Sequence, residues 1–306
     1  MRGKVGERAS PRTRSFAGRP KLPPPSRTTT HTYPTPLTTR PAIVANWLPR
    51  YTGMRLEEFG RYILLTNFSG YLAKFALWGN TEIVGADRPM PCATAHGITM
   101  VNFGMGSPNT ATVCDLLTAI GPPADEAKPQ GRKKGPKAVL FLGKCGGLKK
   151  KNQLGDLILP IGAIRGEGTS DEYMPSEVPA LPAFALQKAI STTIREAGRD
   201  YWTGTVFTTN RRVWEHDKEF KQRLRRARAM AIDMETATLF TAAFRNKFPA
   251  GALLLVSDTP MIPEGVKTSA SDARVTEEYV DLHVRIGIDS LKALMNRAET
   301  VKHLRF

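Results

Sequence analysis

The chain has 306 residues, 41% hydrophobic and 24% charged, enough to build one large domain or two small ones. No run approaches the roughly 20 apolar residues that cross a bilayer, and Cys92, Cys114 and Cys145 have neither metal-ligand nor disulfide spacing, so the chain reads as soluble, reduced and cytoplasmic. The net charge of +16 sits largely in residues 1–40 (nine Lys/Arg against Glu7), in 121–137 (five bases against two acids) and in Lys149, Lys150 and Lys151, so a pervasive nucleic-acid-binding face is not implied.

Residues 1–40, with "PPPSRTTTHTYPTPLTTRP", carry few apolar side chains and are expected to form a disordered basic tail. Their Arg- and Ser-rich, acid-poor composition resembles a transit peptide. Without a clear amphipathic helix, a solvated tail or a wrongly chosen upstream start is the preferred reading. The catalytic domain is expected over 41–306, with 121–137 as a surface insertion between a helix and a strand.

Short apolar runs bounded by Gly, Pro or polar residues predict strands at 62–68, 97–103, 137–143, 155–164, 204–209, 229–233 and 251–257. Helical spacing predicts helices at 107–120, 180–198, 215–227, 235–247 and 273–296. Ser107 followed by Pro108 reads as a capping hydroxyl and a proline in the first turn. Alternating strands and helices, with several strands continuously apolar, predict an α/β sandwich around a largely buried sheet.

In open α/β sheets ligands gather beyond the carboxyl ends of the strands. Five such ends carry more than turn residues. "NFGMGSPN" places Gly104 and Gly106 before a helix, where amides can face an anion or a sugar; a tight turn explains it as well. "FLGKCGGLKK" holds Lys144 among glycines without the spacing of a P-loop or a dinucleotide fingerprint, so Lys144 is a candidate phosphate contact, while Lys149 to Lys151 read as solvated. "AIRGEGTSDEY" presents Arg165, Thr169 and Ser170, suited to phosphate or base edges, with an Arg165–Glu167 pair as the competing reading.

"LLLVSDTPMIPEG" delivers Ser257 and Asp258 to the end of an apolar, central strand, and apolar surroundings raise a carboxyl pKa as a general acid requires. "AIDMETATLF" places Asp233 and Glu235 at i and i+2, on one side of an extended segment, with Met234 opposite as a polarizable surface. Two buried acids need partners.

Together and in order, "GMGSPN", "FLGKCGG", "RGEGTS", "AIDMETATLF" and "LLVSDTP" resemble the nucleoside phosphorylase and nucleosidase superfamily. "NWLPRYT", "YILLTNF", "ILPIGAIRGEGTS", "DYWTGTVFTTNRR" and "MIPEGVKT" are similar to its short bacterial AMP nucleosidase subgroup, from about residue 42 to the C-terminus. The resemblance implies a three-layer sandwich with a central mixed sheet flanked by helices. It implies hydrolysis of AMP to adenine and ribose 5-phosphate without a cofactor or metal, in a homo-oligomer, a hexamer or dimer-based.

It also implies roles. Met234 and Glu235 would clamp the ribose, Asp258 would protonate purine N7, Arg274 would partner that acid, and Phe207 would stack on the base. The first strand ends "LLTNFSGY" without the Gly-Asp-Pro-x-x-Arg pattern of the phosphorylases, and Phe141 and Lys144 stand where those carry Arg and Ser. These departures favour water over phosphate as nucleophile, with Lys144, Arg165 and Arg211 or Arg212 left for the substrate's 5′-phosphate. The alternatives are a purine or uridine phosphorylase and, further off, a basic nucleic-acid-binding protein.

Overall fold

The computed structural model describes residues 37–121 and 135–296. The predictions for residues 1–36 and for most of the 121–137 segment fall outside the described residues. Among those residues, no helix is long and apolar enough to cross a membrane.

Eight strands form one mixed sheet: β1 Tyr62–Thr66, β2 Cys92–Ala95, β3 Ile98–Asn102, β4 Ala138–Gly147, β5 Leu157–Gly166, β6 Trp202–Thr209, β7 Ala231–Asp233 and β8 Ala250–Asp258. Strand β8 runs parallel to β4 and antiparallel to β5, while β7 joins β6 back to β4, so this half of the sheet closes on itself. All nine residues of β8 are buried, in keeping with the central position expected of its apolar run.

Strand side chains alternate between two cores. Ile63, Leu65, Val139, Phe141, Leu254 and Val256 enter one; Leu64, Leu140, Leu142, Leu253 and Leu255 enter the other. Helices α1 (Arg40–Thr52), α3 (Ser107–Leu116) and α6 (Thr236–Arg245) cover the first face. Helices α2 (Ser69–Gly79), α4 (Phe184–Glu196) and α7 (Ser269–Asn296) cover the second. This is the three-layer sandwich with a central mixed sheet. Helix α5 (Lys218–Arg226) contributes Leu224 to a smaller cluster with Phe207, Trp214 and Ile232.

Three elements were not anticipated. Helix α1 starts at Arg40, inside the stretch assigned to the tail, with Thr39 accepting the Ala42 amide and Gly53 closing the helix in the left-handed region. Helix α2 follows the first strand, and β2 pairs with β3 through a two-residue turn in which His96 and Gly97 both have positive φ. Helix α7 begins at Ser269, earlier than its periodicity suggested. At α3 the expected cap is corrected: Pro108 sits in the first turn, but the Ser107 hydroxyl donates to the Met234 carbonyl at 2.7 Å instead of capping the helix.

Candidate active site

A cavity of about 240 Å³ opens beyond the carboxyl ends of β1, β4, β6, β7 and β8. Its wall brings together Lys144, Arg211, Arg212, Asp233, Met234, Glu235, Ser257 and Asp258 from the sequence-derived set. Asn67, Phe68, Met105, Trp214, Glu215, Lys267 and Asp272 join them from outside that set.

Asp258 is positioned by a break in strand register. Cys145 pairs with Val256 but Gly146 pairs with Asp258, leaving Ser257 as an extra residue in β8. Neighbours on a regular strand face opposite ways; here both Ser257 and Asp258 reach the cavity wall. The Ser257 hydroxyl donates to Asp258 Oδ1 at 2.8 Å, and Lys267 Nζ lies 3.7 Å from the same oxygen. Burial pushes the Asp258 carboxyl above its ordinary range, against the opposing pull of Lys267, Ser257 and Arg212. Gly146, opposite, has no room for a side chain: a Cβ would lie 2.9 Å from the Pro260 ring and 3.1 Å from Ile232.

Glu235 stands at the strand-to-helix transition, only 2% exposed. Its Oε1 accepts the Gly106 amide at 2.7 Å and its Oε2 the Met234 amide at 3.2 Å. Gly106 takes φ of +94°, a conformation that glycine adopts without strain. Burial, then the charge of Asp233, pushes Glu235 up to about 8. Asn67 Oδ1, at the end of β1, is buried without a hydrogen-bond partner.

Asp233 reaches the wall but is engaged within the chain. Its Oδ1 accepts the Thr208 hydroxyl at 2.7 Å; its Oδ2 accepts the Thr236 amide at 2.8 Å and the Thr236 hydroxyl. The Ala237 amide in turn donates to Thr208 at 2.9 Å. Asp233 therefore fixes the start of α6, and with it Glu235.

Each cation on the wall has a partner. Lys144 Nζ donates to Asp272 at 2.9 Å and to Thr276 at 2.8 Å, and lies 4.8 Å from the centre of the Phe68 ring. Burial draws the Lys144 pKa down, while Asp272 opposes that shift. Arg211 pairs with Asp217 and Arg212 with Glu215. Lys267 is the loosest, 3.6 Å from Asp272 and 3.7 Å from Asp258.

The other sequence-derived positions lie off the cavity wall. Phe207 is buried under the site, packed edge-on to Phe220 in the third cluster, and Trp214 and Phe68 supply the aromatic wall instead. Arg165 is away from the cavity: it donates to Ser170, Asp171 and the carbonyls of Met174, Pro175 and Val178, clamping its own loop. Its acidic partner is Asp171; Glu167 accepts from the Ser170 amide and the Thr238 hydroxyl. Thr169 and Ser170 form a short 3-10 turn in that loop. Arg274 is exposed on α7 and pairs with Glu278, so Lys267 is the cation that stands beside Asp258. Gly104 and Gly106 are not in the wall, although Met105 between them is.

A closed mixed sheet, helices on both faces, and three buried carboxylates on the wall of one cavity at the strand ends define an α/β protein built to act on a small polar ligand. The chain belongs to the phosphorylase superfamily, whose profile matches residues 85–292. It is 30% identical to the AMP nucleosidase of Escherichia coli (strain K12) over 82% of this chain, and it spans 58% of that relative's length. The guanosine phosphorylase of Halorubrum lacusprofundi is 26% identical over 71% of this chain and 87% of its own. Among solved structures, the AMP nucleosidase from Bacteroides thetaiotaomicron VPI-5482 superposes with a TM-score of 0.73 at 51% identity, covering 85% of this chain and 99% of that one. Uridine phosphorylase from Vibrio fischeri ES114 shares the fold, with a TM-score of 0.66 at 22% identity over 78% and 93% of the two chains.

Proposed function

We propose that this chain hydrolyses the N-glycosidic bond of AMP, releasing adenine and ribose 5-phosphate. The observation that carries the proposal is one cavity whose wall carries the buried carboxylates Asp258 and Glu235, each with its pKa raised by burial, while the third buried acid there, Asp233, is engaged within the chain. Similarity to the E. coli and B. thetaiotaomicron AMP nucleosidases supports the choice of substrate.

Breaking the bond between C1′ and N9 leaves positive charge on the ribose and negative charge on the base. Asp258, protonated through Oδ2, gives its proton to purine N7 as the electron pair moves onto the base. Such proton transfer typically contributes about 10²–10⁴-fold. Glu235 accepts from the ribose 2′ and 3′ hydroxyls and supports the cationic sugar, beside the Met234 side chain. A water oxygen bonds C1′ and loses a proton to solvent. The unpartnered Asn67 Oδ1 near Glu235 offers an acceptor for a water or a sugar hydroxyl.

The 5′-phosphate calls for cations. Lys144 is the candidate, because Lys267 stands 3.7 Å from Asp258 at the base end and Arg165 is saturated within its own loop. Binding energy at that distant end can orient and distort the sugar. A homo-oligomer is part of the same proposal.

The test is a product assay with AMP, adenosine, inosine and uridine, with and without inorganic phosphate. The proposal expects ribose 5-phosphate from AMP at a rate indifferent to phosphate. Ribose 1-phosphate formed only with phosphate present would make the chain a phosphorylase.

A further inference from the structure

Asp258 alone does not read the whole edge of an adenine. Its Oδ1 is engaged by the Ser257 hydroxyl and faces Lys267, which leaves Oδ2 for purine N7. Adenine carries an exocyclic amino group beside N7, where 6-oxopurines carry a carbonyl oxygen. A site that tells the two apart needs a hydrogen-bond acceptor next to Asp258.

Glu215 meets that need. It lies on the cavity wall in the segment between β6 and α5, immediately after Trp214, so one loop supplies an aromatic face and a carboxylate to the same space. Its side chain is 19% exposed, its Oε1 meets Arg212 at a long 3.4 Å, and its Oε2 accepts the Trp214 amide at 3.0 Å. A carboxylate has about four lone-pair sites, so acceptor capacity remains. Glu215 and Arg212 also act electrostatically on Asp258, with opposite sign, which puts both at the base end of the cavity and away from a 5′-phosphate.

We propose that Glu215 is a specificity-determining residue that accepts a hydrogen bond from the 6-amino group of the purine and repels a 6-oxo group. The inference rests on the AMP hydrolase reading above. Arg212 and the Trp214 amide hold the carboxylate, one at each oxygen. A carbonyl oxygen in place of the amino group would set acceptor against acceptor in a partly desolvated space, an arrangement that sites of this kind reject strongly.

The experiment compares kcat/KM for AMP and IMP in the wild-type protein, in Glu215→Gln and in Glu215→Asp, with thermal melting as a check on folding. Glutamine keeps the shape and can turn its amide to donate to a carbonyl oxygen. The AMP-to-IMP preference of the wild type is expected to fall by about 10–100-fold in Glu215→Gln, part of it through a gain on IMP. Glu215→Asp keeps the charge but shortens the reach, so AMP turnover should drop at least about tenfold while IMP stays excluded. If Glu215→Gln does not fold, the aspartate variant decides the matter. A preference unchanged in Glu215→Gln, or AMP turnover unchanged in Glu215→Asp, overturns the role of Glu215. A wild-type protein that does not cleave AMP overturns the reading beneath it.

Discussion

The Gly106 amide donates to Glu235 Oε1 at 2.7 Å across 129 residues of sequence, tying the turn before α3 to the start of α6. With the Met234 amide on Oε2, each oxygen of Glu235 faces a backbone donor. Glu235→Gln turns its amide group toward one of these N–H groups, so a buried donor loses its acceptor. We expect about 1–3 kcal/mol of lost stability in denaturant titrations, together with a fall in kcat/KM for AMP. A variant as stable and active as the parent would separate this contact from both fold and function.

Lys267 lies 3.7 Å from Asp258 and lowers its proton affinity against the effect of burial. Lys267→Met removes that cation, so the Asp258 pKa rises further. An acid that works in its protonated form loses activity as pH rises through its pKa. The alkaline limb of kcat should therefore move to higher pH in Lys267→Met. A limb that stays in place, or moves to lower pH, contradicts the pairing.

The buried imidazole of His283 makes a pH-dependent contribution to stability. Its Nε2 faces the Leu253 carbonyl at 2.9 Å, which only accepts, so Nε2 carries the hydrogen and Nδ1 accepts from the Tyr71 hydroxyl at 3.0 Å. Burial pulls its pKa down to about 4, from an ordinary 6.5. The unfolded chain therefore binds a proton before the folded one does. Stability from this group is complete above pH about 6.5 and is lost as pH falls towards about 4, by roughly 3 kcal/mol at most. Urea midpoints of the wild type and His283→Leu between pH 4 and 7 should show a shallower slope in the variant; parallel curves would remove His283 from this role.

Arg165 is expected to act on the fold alone. Arg165→Lys cannot reproduce its fan of contacts to Ser170, Asp171 and three carbonyls, so melting should fall by several degrees. The ratio of AMP to adenosine turnover should stay unchanged. A selective loss on AMP would restore Arg165 as a phosphate contact.

The legibility of these features in sequence follows their range. Glu235, Met234, Ser257 and Asp258 stand at the ends of apolar runs, so local pattern alone set them at strand ends. The register break that turns both Ser257 and Asp258 to the cavity depends on β4 and left no local trace. The superfamily resemblance implies Phe207 as the aromatic on the base, yet it faces the core, and Trp214 in the following loop stands on the wall. Arg165 looked like a ligand contact because the carbonyls that saturate it lie on a loop whose path no periodicity encodes.

Lys267 lay within a quoted stretch, "MIPEGVKT", but a loop lysine carries no signal of the acid it will face. Helix α2 is apolar on most sides and showed no amphipathic stripe. Strand β2 had a usable cue, the His96–Gly97 pair at a two-residue turn, which marks a hairpin.

Asp258 as the acid that makes adenine a leaving group is most directly tested by single-turnover cleavage of AMP in the wild type and in Asp258→Asn, with AMP affinity measured separately. The expected result is a chemical step slowed by about 10²–10⁴-fold with affinity within a few-fold of the parent. A variant that cleaves AMP at a near-parental rate would contradict it.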